Sequence, residues 1–168
     1  RQRKVSIVPI ISDSQAPDTP EPCVYIDDRT AAYQITEHLL ELGHKRIAFL
    51  CGEEAHKSST ERLEGYRQAL KAHEIEIDPE LILTGQYSFE SGVERSKHLL
   101  TLDSRPTAVF ACNDEIAAGT LFAARLSGIE VPRDLSIAGF EDSPFSRQAW
   151  PNLTTARQPT SEIGRRAT

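Results

Sequence analysis

The stretch of residues 106–142 constrains the fold of this chain more than any other part of the sequence. Residues 107–111 form a short apolar run of the kind that is buried in a parallel sheet. An amphipathic segment follows at residues 115–127, and a second apolar run covers residues 135–139. The order of strand, helix and strand predicts one βαβ unit, and therefore a parallel sheet.

The same alternation continues on both sides of this unit. Apolar runs predict further strands at residues 5–11, 23–26, 46–51, 81–83 and 153–156. Helical periodicity predicts helices from Asp27 or Asp28 to residue 42, from near residue 60, over 89–102 and from 161 to 168. The expected buried faces comprise Leu63, Tyr66, Arg67 and Leu70 in the second of these helices and Val93, Lys97 and Leu100 in the third. The fold class is therefore α/β, a doubly wound parallel sheet with right-handed crossovers.

Composition narrows the classes of function. The chain has 168 residues and a net charge of −6, from 19 Lys and Arg against 25 Asp and Glu. An acidic chain with scattered charges is a poor candidate for direct binding to a nucleic-acid backbone. No apolar run in the sequence is long enough to span a membrane, and no stretch of it is expected to be a signal peptide. Cys23, Cys51 and Cys112 lack metal-site spacing, which predicts reduced, buried thiols in a cytoplasmic protein with no metal or cofactor.

Polar side chains follow the predicted strands at their carboxyl ends, which face the ligand crevice in open α/β sheets. Hydroxyl, amide and guanidinium groups, one carboxylate and one aromatic ring suit a small polyhydroxylated molecule. The candidate ligand-binding residues are His56, Ser58, Arg62, Tyr87, Asn113 and Glu141. No nucleophile elbow, phosphate-binding loop or dinucleotide fingerprint occurs, which predicts that the chain is not an enzyme.

Several of these residues also have a structural interpretation. Ser58 with Glu61 has the pattern of a capping box, so that Ser58 either caps a helix or contacts the ligand. Asp114 is expected to cap the following helix, which would leave Asn113 for the ligand. Tyr87 is either a stacking platform or part of the packing.

The sequence resembles the effector-binding core of LacI/GalR-type bacterial transcriptional regulators. The resemblance rests on the segments GHKRIAFLCG, ERLEGYRQAL, PTAVFACNDEIAAGTLFAARLSGIEVPRDLSIAGFED and PNLTTARQP, and it extends from about Val24 to the end. It implies a periplasmic-binding-protein-like fold of type I with two lobes and a ligand cleft between them. It also implies a homodimer or dimer of dimers, in which cleft closure is coupled to an N-terminal helix-turn-helix headpiece on operator DNA.

The resemblance assigns roles to the candidate residues. His56, Ser58 and Arg62 match the loop and helix start that reach the effector, a sugar, sugar phosphate or nucleoside. Tyr87 matches a stacking position. Glu141 stands where the family usually has Asp, so the carboxylate is longer by one methylene. Asn113, the first residue of the segment NDEIA, matches a polar group that directly follows a strand.

The resemblance also implies a division of the chain. Residues 1–43 are expected to be a remnant of the first lobe, residues 44–155 the second lobe, and residues 156–168 a return into the first. The sequence opens without Met, which suggests an excised piece, and operator DNA is expected to bind only through a headpiece outside this chain. The alternative interpretation is a periplasmic sugar-binding transport receptor of the same fold.

Overall fold

Strands and helices alternate through the residues described by the computed structural model, which are 10–11, 24–53 and 55–167. The strands are β1 Ile10–Ile11, β2 Val24–Tyr25, β3 Ile47–Cys51, β4 Ile82–Thr84, β5 Ala108–Ala111, β6 Ser136–Glu141 and β7 Thr154–Arg157. The helices are α1 Asp28–Glu41, α2 Lys57–Ala72, α3 Phe89–Leu100, α4 Asp114–Leu126, α5 Pro144–Gln148 and α6 Thr160–Ala167. A single 3₁₀ turn, Pro79–Leu81, precedes β4.

Five of the strands form one parallel sheet in the order β4-β3-β5-β6-β7, and β1 pairs with β2 in a separate parallel pair. The chain moves outward from β3 to β4 and then returns to place β5 on the other side of β3. This reversal creates a topological switch point between the carboxyl ends of β3 and β5, which is where open α/β sheets bind ligands. The predicted α/β fold with a parallel sheet is confirmed.

The centre of the sheet is fully apolar, which places the core between the strands and the helices. Phe49 of β3 stacks on Tyr66 of α2 at 5.1 Å between ring centroids and meets Phe110 of β5 edge-on at 5.0 Å. The hydroxyl of Tyr66 donates a hydrogen bond of 2.8 Å to the carbonyl of Ile47. Burial raises the pKa of Tyr66, so the phenol stays neutral. Its hydrogen bond compensates for burying a polar atom in this core.

Helices α3 and α4 pack closely because small residues line their contact. A Cβ on Gly92 would lie 2.5 Å from the carbonyl oxygen of Ile116, and one on Gly119 would lie 2.2 Å from that of Phe89. The hydroxyl of Ser96 donates to that of Thr120 at 2.9 Å across the same contact. The predicted buried face of α3 is therefore only partly right, since Leu100 is partly buried against the core but Lys97 is exposed. Gly92, Ser96 and Leu99 are buried, because small residues let the helices approach.

Other local predictions also differ from the structure. Helix α2 begins at Lys57 rather than near residue 60, and Arg67 on it is exposed. Helix α5 was not predicted. The predicted strand at residues 5–11 lies outside the described residues except for 10 and 11, and so does Cys23. The predicted lobe boundaries stay a prediction, although α1, assigned to the first-lobe remnant, packs against α2 and contributes Ala32, Ile35 and Leu39 to the core.

At the amino end of the sheet, His44 ties three strands together. Its Nδ1 lies 3.0 Å from the hydroxyl of Thr107, and its Nε2 lies 2.9 Å from that of Ser136. Burial lowers the pKa of His44, which favours the neutral ring. The ring therefore connects the segments that lead into β3, β5 and β6 through uncharged hydrogen bonds.

Candidate functional site

Arg62, one turn into α2, is a buried cation at the carboxyl end of the sheet, with 3% of its surface exposed. Its Nε donates to Asp28 at 2.8 Å, its Nη1 donates to the carbonyl of Cys112, and its guanidinium carbon lies 3.9 Å above the ring of Phe140. Burial would lower the pKa of Arg62, but the neighbouring Cys112 and Asp28 raise it, so the guanidinium stays charged.

Glu141 ends β6 beside this guanidinium, with Oε1 3.7 Å from Nη1 of Arg62. Its side chain is 37% exposed, which leaves the carboxylate accessible to a ligand. Glu141 has φ +113° and Asp142 has φ +56°, a backbone region that non-glycine residues rarely occupy. Such strain concentrates at functional sites. Burial raises the pKa of Glu141, with the carboxylates of Asp114 and Asp28 acting in the same direction and Arg62 opposing them.

A second cluster lies on the β3 side of the switch point, around Tyr87. The Tyr87 hydroxyl makes a 2.5 Å hydrogen bond with that of Ser59 and lies 3.4 Å from the Cys112 thiol. The ring of Tyr87 meets His56 edge-on at 5.5 Å. Burial raises the pKa of Tyr87 to about 12, whereas hydrogen bonds with Ser59 and Ser58 act against this rise. The phenol is thus a neutral donor and acceptor.

Glycine is required where β3 leaves the sheet, because the Tyr87 ring lies directly against the backbone of Gly52. A Cβ on Gly52 would stand 2.1 Å from the ring carbon Cζ. The close approach holds the ring over the end of β3 beside the switch point. Tyr87 therefore takes part in the packing beside the crevice, and its role as a stacking platform for a ligand stays a prediction.

Arg95 of α3 fixes the loop that carries Tyr87, a role that the sequence did not reveal. Its guanidinium donates to the carbonyls of Cys51, Leu83 and Gln86, and its Nε donates to that of Ser91. These carbonyls belong to the ends of β3 and β4, the loop after β4 and the first turn of α3. Arg95 therefore joins the two strand ends to the Tyr87 loop.

Asn113, and not Asp114, caps α4. The Oδ1 of Asn113 accepts a hydrogen bond from the backbone N–H of Ile116 at 2.8 Å. Asp114 is fully buried, and it accepts from the backbone N–H of Ser143 at 2.6 Å and from the hydroxyl of Thr155 at 2.5 Å. The prediction that Asp114 caps the helix was wrong, because its side chain joins β6 and β7 to α4. A ligand contact of Asn113 stays a prediction.

The capping box expected at Ser58 does not form. The residue before α2 is His56, whose side chain makes no capping hydrogen bond, and Ser58 lies within the first turn. Glu61 instead pairs with Arg29 of α1 at 2.8 Å. This leaves the hydroxyl of Ser58 beside Tyr87, which agrees with the ligand-contact interpretation without testing it.

The predicted site residues form two adjacent groups. His56, Ser58 and Tyr87 border the end of β3, while Arg62, Asn113 and Glu141 border the ends of β5 and β6. Cys112 connects the groups, since its thiol contacts Tyr87 and its carbonyl accepts from Arg62. The structure adds Asp28, Ser59 and Arg95, which were not predicted as site residues. Asp27 caps α1 and Asp28 is its first residue. Because the cap requires only one of these two neighbouring Asp residues, the pair is a signal in the sequence that points to Asp28.

Within the described ranges, no group of three or more His, Cys, Asp or Glu side chains is arranged to hold a metal ion. Likewise, none of the helices in the described part of the chain is both long enough and apolar enough to cross a membrane. The crevice side chains in the described part of the chain offer hydrogen-bond donors, hydrogen-bond acceptors and one aromatic ring.

Comparison with known proteins agrees with this geometry. The periplasmic binding protein-like domain family matches residues 36–168. The chain belongs to this family, as a LacI/GalR-type effector-binding domain. It is 42% identical over 158 residues to the HTH-type transcriptional repressor CytR of Escherichia coli strain K12, covering 94% of this chain and 46% of the repressor.

Solved structures of this family superpose closely on the chain. A LacI-family regulatory protein from Chloroflexus aggregans has a TM-score of 0.88 and 36% identity, covering 94% of this chain and 57% of that protein. A complex of the transcriptional regulator CelR with cellobiose has a TM-score of 0.83 and 36% identity, covering 90% of this chain and 47% of the other. The chain thus spans about half the length of the relatives and structures that it matches.

Proposed function

We propose that this chain is the ligand-sensing part of a DNA-binding transcriptional regulator. A small polar effector, such as a sugar or a nucleoside, binds at the carboxyl edge of the sheet and controls operator binding by a separate headpiece. The observation that carries the proposal is the buried guanidinium of Arg62 beside the strained, partly exposed Glu141 at the carboxyl edge of the sheet. The related proteins are named as HTH-type repressors, and CelR is described in complex with cellobiose.

Each residue of the crevice is proposed to contact a different part of the ligand. The carboxylate of Glu141 accepts from ligand hydroxyls, the phenol of Tyr87 donates or accepts, and its ring covers an apolar face. Within the described part of the chain, Nη2 of Arg62 donates no hydrogen bond, which leaves donors for a ligand oxygen. His56 and Ser58 contribute from the start of α2. A ligand that binds one cleft state better than another shifts the equilibrium between them, and the affinity for DNA is linked to that shift.

The test is thermal unfolding of the full-length protein against a panel of neutral sugars and nucleosides. Binding to the native state stabilises it by RT ln(1 + [L]/Kd), about 2.7 kcal/mol at a hundredfold excess over Kd. For the stabilising compound, Arg62→Lys keeps a cation opposite Asp28 but removes the planar fork, and we expect it to weaken binding by about 1.5–3 kcal/mol. The matched control is Arg67→Lys on the exposed face of α2. An unchanged affinity in Arg62→Lys would remove Arg62 from the site.

A transport receptor of the same fold is the second candidate function. The names of the related proteins favour the regulator, which we place in the cytoplasm as a protein without catalytic activity. The coding sequence upstream decides between the two, since a helix-turn-helix supports the regulator and a signal peptide supports the receptor. The last measurement is the affinity of the full-length protein for operator DNA with and without the stabilising compound. Either a decrease or an increase in that affinity would support the regulator.

We further propose that two copies of the chain associate through the exposed apolar surface on α4, α5 and the turn that follows. Phe122, Leu126, Phe145 and Trp150 are 45%, 60%, 44% and 78% exposed, and most of them border a groove of about 320 Å³. Helix-turn-helix regulators read paired half-sites as dimers, and a two-fold interface uses one self-complementary patch. Exposed apolar patches of this kind mark association surfaces.

Sedimentation of the full-length protein tests the interface. Trp150→Asp is expected to convert the dimer to a monomer, whereas Leu42→Asp, at an exposed apolar residue outside this surface, leaves the dimer intact. A dimer that persists in both Trp150→Asp and Phe122→Asp would assign association to another surface.

A further inference from the structure

Two cysteines stand side by side where the central strands β3 and β5 reach the carboxyl end of the sheet. The register pairs Leu50 of β3 with Ala111 of β5, and Cys51 and Cys112 come next along these parallel strands. The backbone N–H of Cys112 donates to the carbonyl of Leu50 at 2.9 Å, so the pairing continues to this point. Neighbouring strands lie about 4.8 Å apart, which falls within the Cα separation of about 4.4–6.8 Å that a disulfide spans.

Both thiols point to the same side of the sheet, toward the start of α2. The Cys51 thiol lies 3.9 Å from the carbonyl oxygen of Ser59, which it contacts as a weak donor. The Cys112 thiol lies 3.4 Å from the hydroxyl of Tyr87, and that hydroxyl makes its 2.5 Å hydrogen bond with the hydroxyl of Ser59. The two sulfurs therefore share the same neighbours, and rotation of their side chains is enough to join them without moving either strand.

Both thiols are reduced and shielded from solvent. Cys51 is 2% exposed and Cys112 is fully buried. Tyr87 is part of their cover, since its half-buried ring lies against Gly52, the residue after Cys51. An oxidant therefore reaches the sulfurs when the Tyr87 loop opens. Disulfides of cytoplasmic proteins are usually transient and respond to the redox state, which is the behaviour that a shielded pair of thiols permits.

We propose that Cys51 and Cys112 form a redox-sensitive pair, which hydrogen peroxide joins in a disulfide. The sulfur of one thiol attacks the O–O bond of the peroxide, which gives a sulfenic acid and one water molecule. The second sulfur attacks the first and displaces its oxygen as a second water molecule. The two thiols thus lose two electrons and two protons to one peroxide.

The disulfide changes the crevice on the side of β3. It turns the Cys112 sulfur away from the hydroxyl of Tyr87 and toward Cys51. Because Ser59 holds the same hydroxyl, the change acts both on the Tyr87 loop and on the start of α2. Formation of the bond does not depend on the proposed function, whereas its consequence for an effector does.

The experiment treats the folded full-length protein with hydrogen peroxide, blocks the remaining thiols in acid and maps the tryptic peptides by mass spectrometry. Trypsin separates the three cysteines of this chain into the peptides 5–29, 47–57 and 98–125. We expect peptide 47–57 to be linked to peptide 98–125 and dithiothreitol to separate them. Cys51→Ala and Cys112→Ala each abolish this linked pair, whereas the matched control Cys23→Ala keeps it. Absence of the pair at every peroxide concentration that leaves the protein folded, or linkage of either cysteine to Cys23 instead, would overturn the proposal.

The rate of disulfide formation tests the connection to Tyr87. Tyr87→Ala is expected to form the disulfide at least about tenfold faster, because oxidation no longer waits for the loop to open. Gln86→Ala, at an exposed residue of the same loop, is the matched control and is expected to leave the rate unchanged. Thermal unfolding shows whether each variant is folded. An equal rate in Tyr87→Ala and the native protein would overturn the connection between the thiols and the crevice. Neither measurement uses a ligand, so failure of this inference leaves the proposed function in place.

Discussion

The two ends of the same sheet are stabilised by different chemistry. The carboxyl end buries a guanidinium and two carboxylates, Arg62, Asp28 and Asp114, and holds Glu141 at positive φ. The amino end is joined by the neutral hydrogen bonds of His44, with a partly exposed ion pair between Arg46 and Asp78 at 2.7 Å beside it. Buried charges and strained backbone reduce the stability of a fold unless they are compensated. Their concentration at one end therefore indicates a function there and a purely structural role at the other.

The largest expected effect tests the buried charges directly. Arg62→Met removes the guanidinium from beside Asp28, which leaves a buried carboxylate without this partner. We expect a loss of about 3–5 kcal/mol in the free energy of unfolding, measured by urea denaturation. Arg67→Met, which changes an exposed arginine further along the same helix, is expected to change the free energy of unfolding by less than about 0.5 kcal/mol.

The double variant Arg62→Met/Asp28→Asn sharpens this test. Removing both charges is expected to destabilise the protein by less than the sum of the two single changes, because the two groups contact each other. Additive effects would mean that the pair does not interact energetically, and the contrast between the two ends of the sheet would lose its main support.

A smaller effect is expected at Asp114, which joins α4 to β6 and β7. Asp114→Asn removes the charge while keeping the shape, and it weakens the hydrogen bonds from Ser143 and Thr155. We expect a loss of about 1.5–3 kcal/mol in the free energy of unfolding, the scale for hydrogen bonds to charged groups. In addition, Gly139 leaves no room for the side chain to move, since a Cβ there would lie 2.4 Å from Oδ1 of Asp114. The control is Asp103→Asn, at an exposed residue in the loop after α3, and an equal loss in both variants would contradict this role.

The contrast between the ends also explains which predictions from sequence succeeded. The parallel sheet followed from apolar runs alternating with periodic helices. The candidate site residues, whose ligand contacts stay a prediction, were expected to lie close together because parallel strands end at one edge. Contacts between residues that are far apart in the sequence were not predictable in this way. Arg62 and Asp28 are 34 residues apart, and only packing of α1 on α2 brings them together.

Small polar side chains were the other reason why some predictions from the sequence were wrong. Asn113 and Asp114 both suit a helix cap, and local pattern cannot decide which one caps when the other reaches Thr155, 41 residues away. The buried face of α3 was misjudged for a related reason. Hydrophobic periodicity gives no weight to Gly92 and Ser96, although close helix contact requires them.

At the amino end, a moderate effect is expected from His44→Ala, which removes the bridge between Thr107 and Ser136. We expect a loss of about 1 kcal/mol at pH 8, the net scale of neutral hydrogen bonds at a half-buried site. The folded-state pKa of His44 is lowered by burial. Its contribution is therefore fully present above the unfolded value of about 6.5 and is lost as the pH falls through the folded pKa. The difference between native protein and variant should shrink on acidification, and a difference independent of pH would contradict the bridge.

The smallest expected effect has the opposite sign and belongs to the carboxyl end. The pKa of Glu141 is raised by burial, so the folded protein binds this proton more tightly than the unfolded chain does. Its carboxylate therefore disfavours folding as the pH rises through the folded pKa, and the penalty is absent below the unfolded value of about 4.3. Because the side chain is 37% exposed, solvent screening limits the effect, and Glu141→Gln should be more stable at pH 7 by less than about 1 kcal/mol. Urea denaturation of both proteins at pH 4 and pH 7 measures it. A variant less stable at pH 7 would make Glu141 a structural residue, and the carboxyl end would then resemble the amino end in serving the fold alone.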